Sequence, residues 1–164
     1  MKYSTIRIEG SILSADILDK IEQGDIGGQL PKDFGFDAHV KVKDEIAKAW
    51  ADAHALWQIF KHQREKAPEN SFGTTETRKY WIIPLMGFLG YDLDLSKAEI
   101  VNDRSYALSH RSSNLDRFPI HIMGFNDSLD KKRTDSGPRM SPHALVQEYL
   151  NLTEHLYAIV TNGI

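Results

Sequence analysis

Two histidines are the first residues of this chain whose type and spacing suggest chemistry. His110 and His121 fall on consecutive predicted strands, so their imidazole rings could lie close together in a sheet and share a transition metal, for which a third ligand would be needed. The alternative is that both rings are partly buried and bonded to backbone or water. The chain has no cysteine, which excludes a thiolate metal site and a cysteine nucleophile.

A loop that reads NDSLDKKRTDSGPRM supplies a second kind of candidate site. Lysine and arginine on a flexible loop are suited to contact DNA phosphates. The acidic residues Asp127, Asp130 and Asp135 lie among the basic ones, so a solvated loop is the default interpretation. The candidate DNA-binding residues are Arg111, Lys131, Lys132, Arg133 and Arg139.

The composition limits the classes of protein to consider. The chain has 164 residues, of which 41% are hydrophobic and 26% are charged, as in an ordinary globular domain. A net charge of −3 argues against a strong, non-specific nucleic-acid binder acting alone. No stretch approaches the roughly 18 uninterrupted apolar residues of a membrane span. Phosphate-binding loops and the motifs GxGxxG, GxSxG and HExxH are also absent. We expect a cytoplasmic protein.

The pattern of apolar residues predicts the helices that would position these side chains. A short helix is predicted at 11–22, and the clearest helix runs from Asp44 to about Ala67, with Trp50 and Trp57 on its apolar stripe. A helix from Thr74 or Thr75 to Leu89 contains Pro84, which should kink it or remove one hydrogen bond. Ser141-Pro142 predicts the start of another helix. We expect Trp50, Trp57 and Trp81 to lie in the core.

Period-two runs predict the strands. A strand is weakly indicated at 3–9. Three more strands are predicted at AEIV, SYALSH (105–110) and PIHIMGF (119–125), and a tight turn at 102–104 separates the first two of these. The last strand, 156–161, leads into Asn162-Gly163, a dipeptide typical of type I′ hairpin turns. The predicted fold is therefore α/β (α+β), a mixed sheet with αβββαβ order and additional N-terminal helices. Residues 1–40 would form an N-terminal extension, and residues 41–164 the core of a single domain.

Four phrases in this chain resemble a known family: YWIIPLMGFLGYDL, NDRSYALSHR, FPIHIMGFNDSLDKK and RMSPHALVQEYLNLTEHLYAIVTNG. They are similar to the N-terminal region of large restriction–modification or phage-defence proteins that carry an adenine-specific DNA methyltransferase downstream. The resemblance covers roughly residues 40–164. It implies a PD-(D/E)-x-K nuclease-like fold, continuation of the chain beyond Gly163, and two partners, DNA and the methyltransferase domain. It implies S-adenosylmethionine as the cofactor of that downstream domain and no cofactor for this part.

Nucleases of this fold hold Mg²⁺ with an aspartate on the second strand and a Glu-x-Lys pair on the third. On the second strand of this chain, Ser109 or His110 occupies the aspartate position, and the third strand offers His121 and Met123 in place of the pair. The resemblance therefore implies a nuclease-like domain that does not cleave DNA. The weak catalytic candidates are His110, Asp116, His121 and Gln147, and the last lies where related nucleases use a glutamine.

Three functions remain open from the sequence. The first is an accessory module of such a methyltransferase, which contacts DNA or braces neighbouring domains. The second is an active Mg²⁺-dependent endonuclease, which would require a different site from the one that the resemblance indicates. The third is a purely structural interaction domain.

Overall fold

The computed structural model describes residues 13–114, 116–133 and 140–164. The strand predicted at 3–9 lies outside the described residues. The chain divides into two compact units, residues 1–48 and 49–164. The first unit contains helix α1 (Ala15–Gln23), a 3-10 turn (Pro31–Phe34) and the start of helix α2. Helix α1 overlaps the predicted helix and ends at Gly24, which has a φ of 79°, as a left-handed C-terminal cap requires.

Helix α2 (Val42–Lys66) closely matches the predicted helix and continues into the second unit. There Phe60 is fully buried and Trp57 half-buried, with the Trp57 ring 5.1 Å from that of Trp81. Trp50 is 73% exposed, so the prediction that it lies in the core is wrong. Helical periodicity identifies an apolar face, but it does not reveal how much of that face another element covers.

The next helical run accommodates its internal proline without a break. It begins as α3 (Thr74–Thr77), widens into a π-helical turn (Arg78–Ile82) and continues as α4 (Ile83–Phe88). Pro84 is the second residue after the wide turn, and such a turn removes the hydrogen bond that proline cannot make. Gly90, with a φ of 83°, lies beyond α4, and the N–H of Tyr91 donates to the carbonyl of Met86.

The second unit is built around a mixed four-stranded sheet, as the sequence predicted. Its strands, in spatial order, are β1 (Leu93–Leu95), β4 (His110–Ser112), β5 (Pro119–Ile122) and β6 (Ile159–Thr161). The β1–β4 and β4–β5 pairs are antiparallel, and β5 pairs in parallel with β6 after the crossover helix α5 (Pro142–Leu152). Strands β2 (Glu99–Val101) and β3 (Arg104–Tyr106) form a separate hairpin. Apart from this hairpin, the element order from α3 onward is αβββαβ.

The strand predicted at 105–110 is two strands in the structure. Residues up to Tyr106 belong to the β2–β3 hairpin, and pairing with β5 begins only at His110, opposite Ile120. The interruption has a local cause at Ser109. Its hydroxyl donates to the carbonyl of Ile120 and accepts from the N–H of Ile122, at 3.2 and 2.8 Å, in place of ladder bonds. Strand β1 was not predicted from the sequence, because its three residues are too few for a periodic pattern to be recognised.

The apolar side chains divide between the two faces of the sheet. On one face, Ile120 and Ile122 are fully buried against α4 residues such as Met86. On the other, Leu145 and Tyr149 of α5 belong to a separate cluster that also contains Tyr106, Leu108 and Val146. The polar residues of the central strands therefore lie between two hydrophobic layers.

The chain after β6 does not form the predicted type I′ turn. Gly163 has a φ of 84°, but Asn162 has no positive φ, which both central residues of that turn require. Asn162 instead bonds through its side chain, donating to the carbonyl of Asp127 at 2.9 Å and accepting from the N–H of Ile164 at 3.2 Å. The type I′ conformation occurs at Asn102-Asp103, where φ is 49° and 61° and β2 turns into β3.

Candidate functional site

Three polar residues lie at the centre of the sheet: Ser109, His110 and His121. The resemblance places the catalytic groups of a nuclease at this position. In the β4–β5 register His110 lies opposite Ile120, and Ser109 directly precedes this first pair. The backbone N–H of Ser109 donates to Nδ1 of His121 at 3.2 Å. Since side chains alternate along a strand, His110 and His121 lie on opposite faces of the sheet. The two rings therefore do not converge on a shared transition metal.

Both histidines are neutral at physiological pH. His110 is 2% exposed and His121 is 7% exposed. Burial chiefly, together with the positive charge of Arg78, lowers the pKa of each ring from 6.5 to about 4. The Arg78 guanidinium is held nearby because its Nε and Nη2 both donate to the carbonyl of Ile122, at 3.0 and 2.7 Å. Both rings are therefore buried groups whose Nδ1 atoms have hydrogen-bond partners.

The other two catalytic candidates lie elsewhere. Gln147 is exposed on α5 and donates to Asn151, four residues later on the same helix. Asp116 is in the turn between β4 and β5, with a φ of 45°, and lines a cavity to which neither His110 nor His121 contributes. The four candidates are therefore not assembled into one site. In the described part of the chain, no three histidine or acidic residues are placed to hold a metal ion together.

Arg133, one of the five candidates for DNA contact, is paired within the protein instead. Its Nε and Nη2 donate to the two carboxylate oxygens of Asp127, at 2.6 and 2.5 Å, and the Asp127 side chain is only 2% exposed. These hydrogen bonds raise the pKa of Arg133. The guanidinium also lies 3.9 Å above the centre of the Phe72 ring. Arg133 therefore fixes its loop to the segment that precedes α3.

The Arg111 side chain is also held by other residues of the protein. Its side chain is 11% exposed, and its guanidinium forms an ion pair with Glu99 of the hairpin. It also donates to the hydroxyl of Tyr149 at 2.7 Å and lies 3.2 Å from Nε2 of His155. The Tyr149 hydroxyl donates in turn to Glu99 at 2.9 Å. Burial is the main cause of a raised Tyr149 pKa.

The remaining basic candidates are Lys131, Lys132 and Arg139. Both lysines are exposed, which leaves them available to phosphate. Arg139 lies outside the described residues. Two of the five predicted DNA contacts thus have structural partners, and two have exposed side chains.

A cavity of about 440 Å³ adjoins the Arg111 network and was not anticipated from the sequence. Three carboxylates line it, those of Glu99, Asp116 and Glu154, together with the rings of Phe118, Tyr149, His155 and Tyr157. These residues come from the hairpin, the β4–β5 turn and the segment around the end of α5. Since they are far apart in the chain, no spacing pattern could have grouped them.

Comparisons of this chain with protein-family models, with curated proteins and with solved structures gave no match. Among the described residues, no helix has both the length and the apolar character that crossing a membrane requires.

Proposed function

We propose that this chain is a non-cleaving accessory module of a DNA restriction–modification or phage-defence methyltransferase. The observation that carries the proposal is the pair formed by Ser109 and His121 at the centre of the sheet, in hydrogen bonds to one another and to the backbone. On the related nuclease scaffold, metal-binding carboxylates would stand there. The αβββαβ order supports the resemblance, but the chemistry at the centre is that of a sealed core.

We further propose that the module contacts protein more than DNA. Arg111 and Arg133 are held in ion pairs, which leaves Lys131 and Lys132 as the exposed candidates for phosphate contact. Exposed large apolar side chains are abundant by comparison, with Trp50 73% and Leu156 93% exposed. Trp50 lines one apolar pocket with Trp57 and Trp81, and contiguous apolar surface of this kind is typical of protein interfaces. The partners would be the methyltransferase domain, which binds S-adenosylmethionine, and weakly DNA, all in the cytoplasm.

A plasmid assay tests the proposal. Pure protein is incubated with supercoiled plasmid and Mg²⁺ or Mn²⁺, and the plasmid should remain supercoiled. Nicking that co-purifies with the protein, and that is lost in His110→Ala or Asp116→Ala, would support the alternative of a Mg²⁺-dependent endonuclease. Deleting this domain from the parent enzyme should impair assembly or methylation. If the domain were a purely structural spacer, the enzyme would tolerate its replacement by another domain.

A further inference from the structure

The cavity beside Arg111 carries more negative than positive charge. Glu99, Asp116 and Glu154 contribute carboxylates to its wall, and Glu99 is paired with Arg111. Among the described residues, Asp116 and Glu154 form no ion pair, although both are exposed at the cavity mouth. The neighbouring cation, Arg117, is directed to Asp94, 3.4 Å away. Two carboxylates are therefore available for a positively charged ligand.

Aromatic rings also line the cavity, and those that remain accessible give it a preference among cations. Phe118 and Tyr149 are buried, and Arg111 already lies over the Tyr149 ring, so the rings open to a ligand are those of Tyr157, which is 52% exposed, and of half-buried His155. Ring faces attract organic cations and cover their alkyl chains. A planar guanidinium suits this setting best, because it stacks on aromatic rings and donates to carboxylates in pairs. A volume of about 440 Å³ accommodates such a side chain.

The mouth of the cavity indicates that the cation belongs to a polypeptide. Leu156 is 93% exposed and Tyr157 is 52% exposed, and both line the cavity, so exposed apolar surface adjoins its carboxylates. Residues next to a bound arginine would cover that surface, whereas a free polyamine would leave it in water. We infer that the cavity receives one arginine side chain of a protein partner. This inference rests on the proposed function, since it specifies the chemistry of the partner.

The test is a nuclear magnetic resonance titration of the full ¹⁵N-labelled chain with two short peptides. Acetyl-Leu-Arg-Leu-amide carries the guanidinium, and acetyl-Leu-citrulline-Leu-amide is its neutral, nearly isosteric counterpart. We expect the arginine peptide to shift the amides of residues 116, 117 and 153–157 saturably and the citrulline peptide to bind more weakly. The double variant Asp116→Asn, Glu154→Gln should bind the arginine peptide about fivefold more weakly, as the loss of two partly exposed ion pairs implies.

A matched control is available on the same chain. The double variant Asp52→Asn, Glu69→Gln removes the same charge from two exposed sites that do not line the cavity, and should bind the peptide as the wild type does. Asparagine tolerates the positive φ of Asp116, so the cavity variant should fold, which its amide spectrum verifies.

Three results would overturn the inference: equal binding of both peptides, undiminished binding by the cavity variant, or spermidine binding as tightly as the arginine peptide. None of these outcomes affects the plasmid assay. Nicking of plasmid would overturn the non-cleaving function without changing the peptide titration, so the two failures are distinguishable.

Discussion

Arg133 and Asp127 form a two-point ion pair in which Nε and Nη2 lie 2.6 and 2.5 Å from the two carboxylate oxygens. The Asp127 side chain also accepts the N–H of Gly124 at 2.8 Å and is almost entirely buried. The pair therefore joins the end of β5 to the basic loop, and it uses the arginine that the sequence offered as a phosphate contact.

Replacing Arg133 with alanine should destabilise the protein, because it leaves the Asp127 carboxylate buried without its partner. We expect the free energy of unfolding in urea to fall by about 3 kcal/mol. Lys132→Ala, at an exposed site, should change it by less than about 0.5 kcal/mol. Adding Asp127→Asn to the Arg133→Ala variant should recover part of the loss. An Arg133→Ala variant as stable as the wild type would show that the ion pair contributes nothing.

Gly124→Ala should be strongly destabilising for a steric reason. A Cβ at this position would lie 2.0 Å from the carbonyl oxygen of Phe72 and 2.8 Å from the backbone nitrogen of Thr74. Backbone atoms cannot rotate away as side chains do, so we expect a loss of about 3 kcal/mol in the free energy of unfolding. Gly87→Ala is the control. Its Cβ would enter open space within α4, where alanine should stabilise the helix by about 0.5–1 kcal/mol.

Stability should decrease as the pH falls from about 6.5 to about 4. In this window the unfolded chain protonates its histidines, whereas folded His110 and His121, with a pKa of about 4, remain neutral. The folded state thus binds fewer protons, and each histidine should remove about 3 kcal/mol of stability across the window. The contribution is fully present above pH 6.5 and is lost below pH 4.

Urea unfolding at several pH values measures this effect. Carboxylates also titrate in the lower part of the window, so the relevant comparison is with variants. His121→Asn should flatten the dependence on pH, while His54→Asn, at an exposed position on α2, should leave the slope unchanged. The same slope in all three proteins would mean that the buried rings do not resist protonation.

Features governed by local chemistry were predictable from the sequence. The hydroxyl of Ser141 accepts the N–H of Ala144 at 3.2 Å and caps α5, as Ser-Pro suggested. Asn102-Asp103 forms the predicted tight turn, since both residues tolerate a positive φ. The mixed sheet and its crossover helix also followed from the change of period along the chain.

Features that depend on burial and on distant partners were not predictable. The charges of Asp127 and Arg133 suggested a solvated loop, because sequence does not reveal that Phe72 and the segment before α3 enclose them. Arg111 meets Glu99 and Tyr149 only because the hairpin and α5 approach β4 from separate parts of the chain. Asn162-Gly163 has the composition of a hairpin turn, but tertiary bonds to Asp127 determine its conformation.

The most direct test of the proposed function is whether a divalent metal binds at the centre of the sheet. An equimolar amount of Mn²⁺, which broadens amide signals near its binding site, can be added to the ¹⁵N-labelled protein. We predict that the signals of Ser109 to Ser112 and of Ile120 to Ile122 keep their intensity, because buried neutral histidines and Ser109 fill that position with hydrogen bonds. Selective broadening of Ser109, His110 and His121 would contradict this prediction and indicate a working metal site.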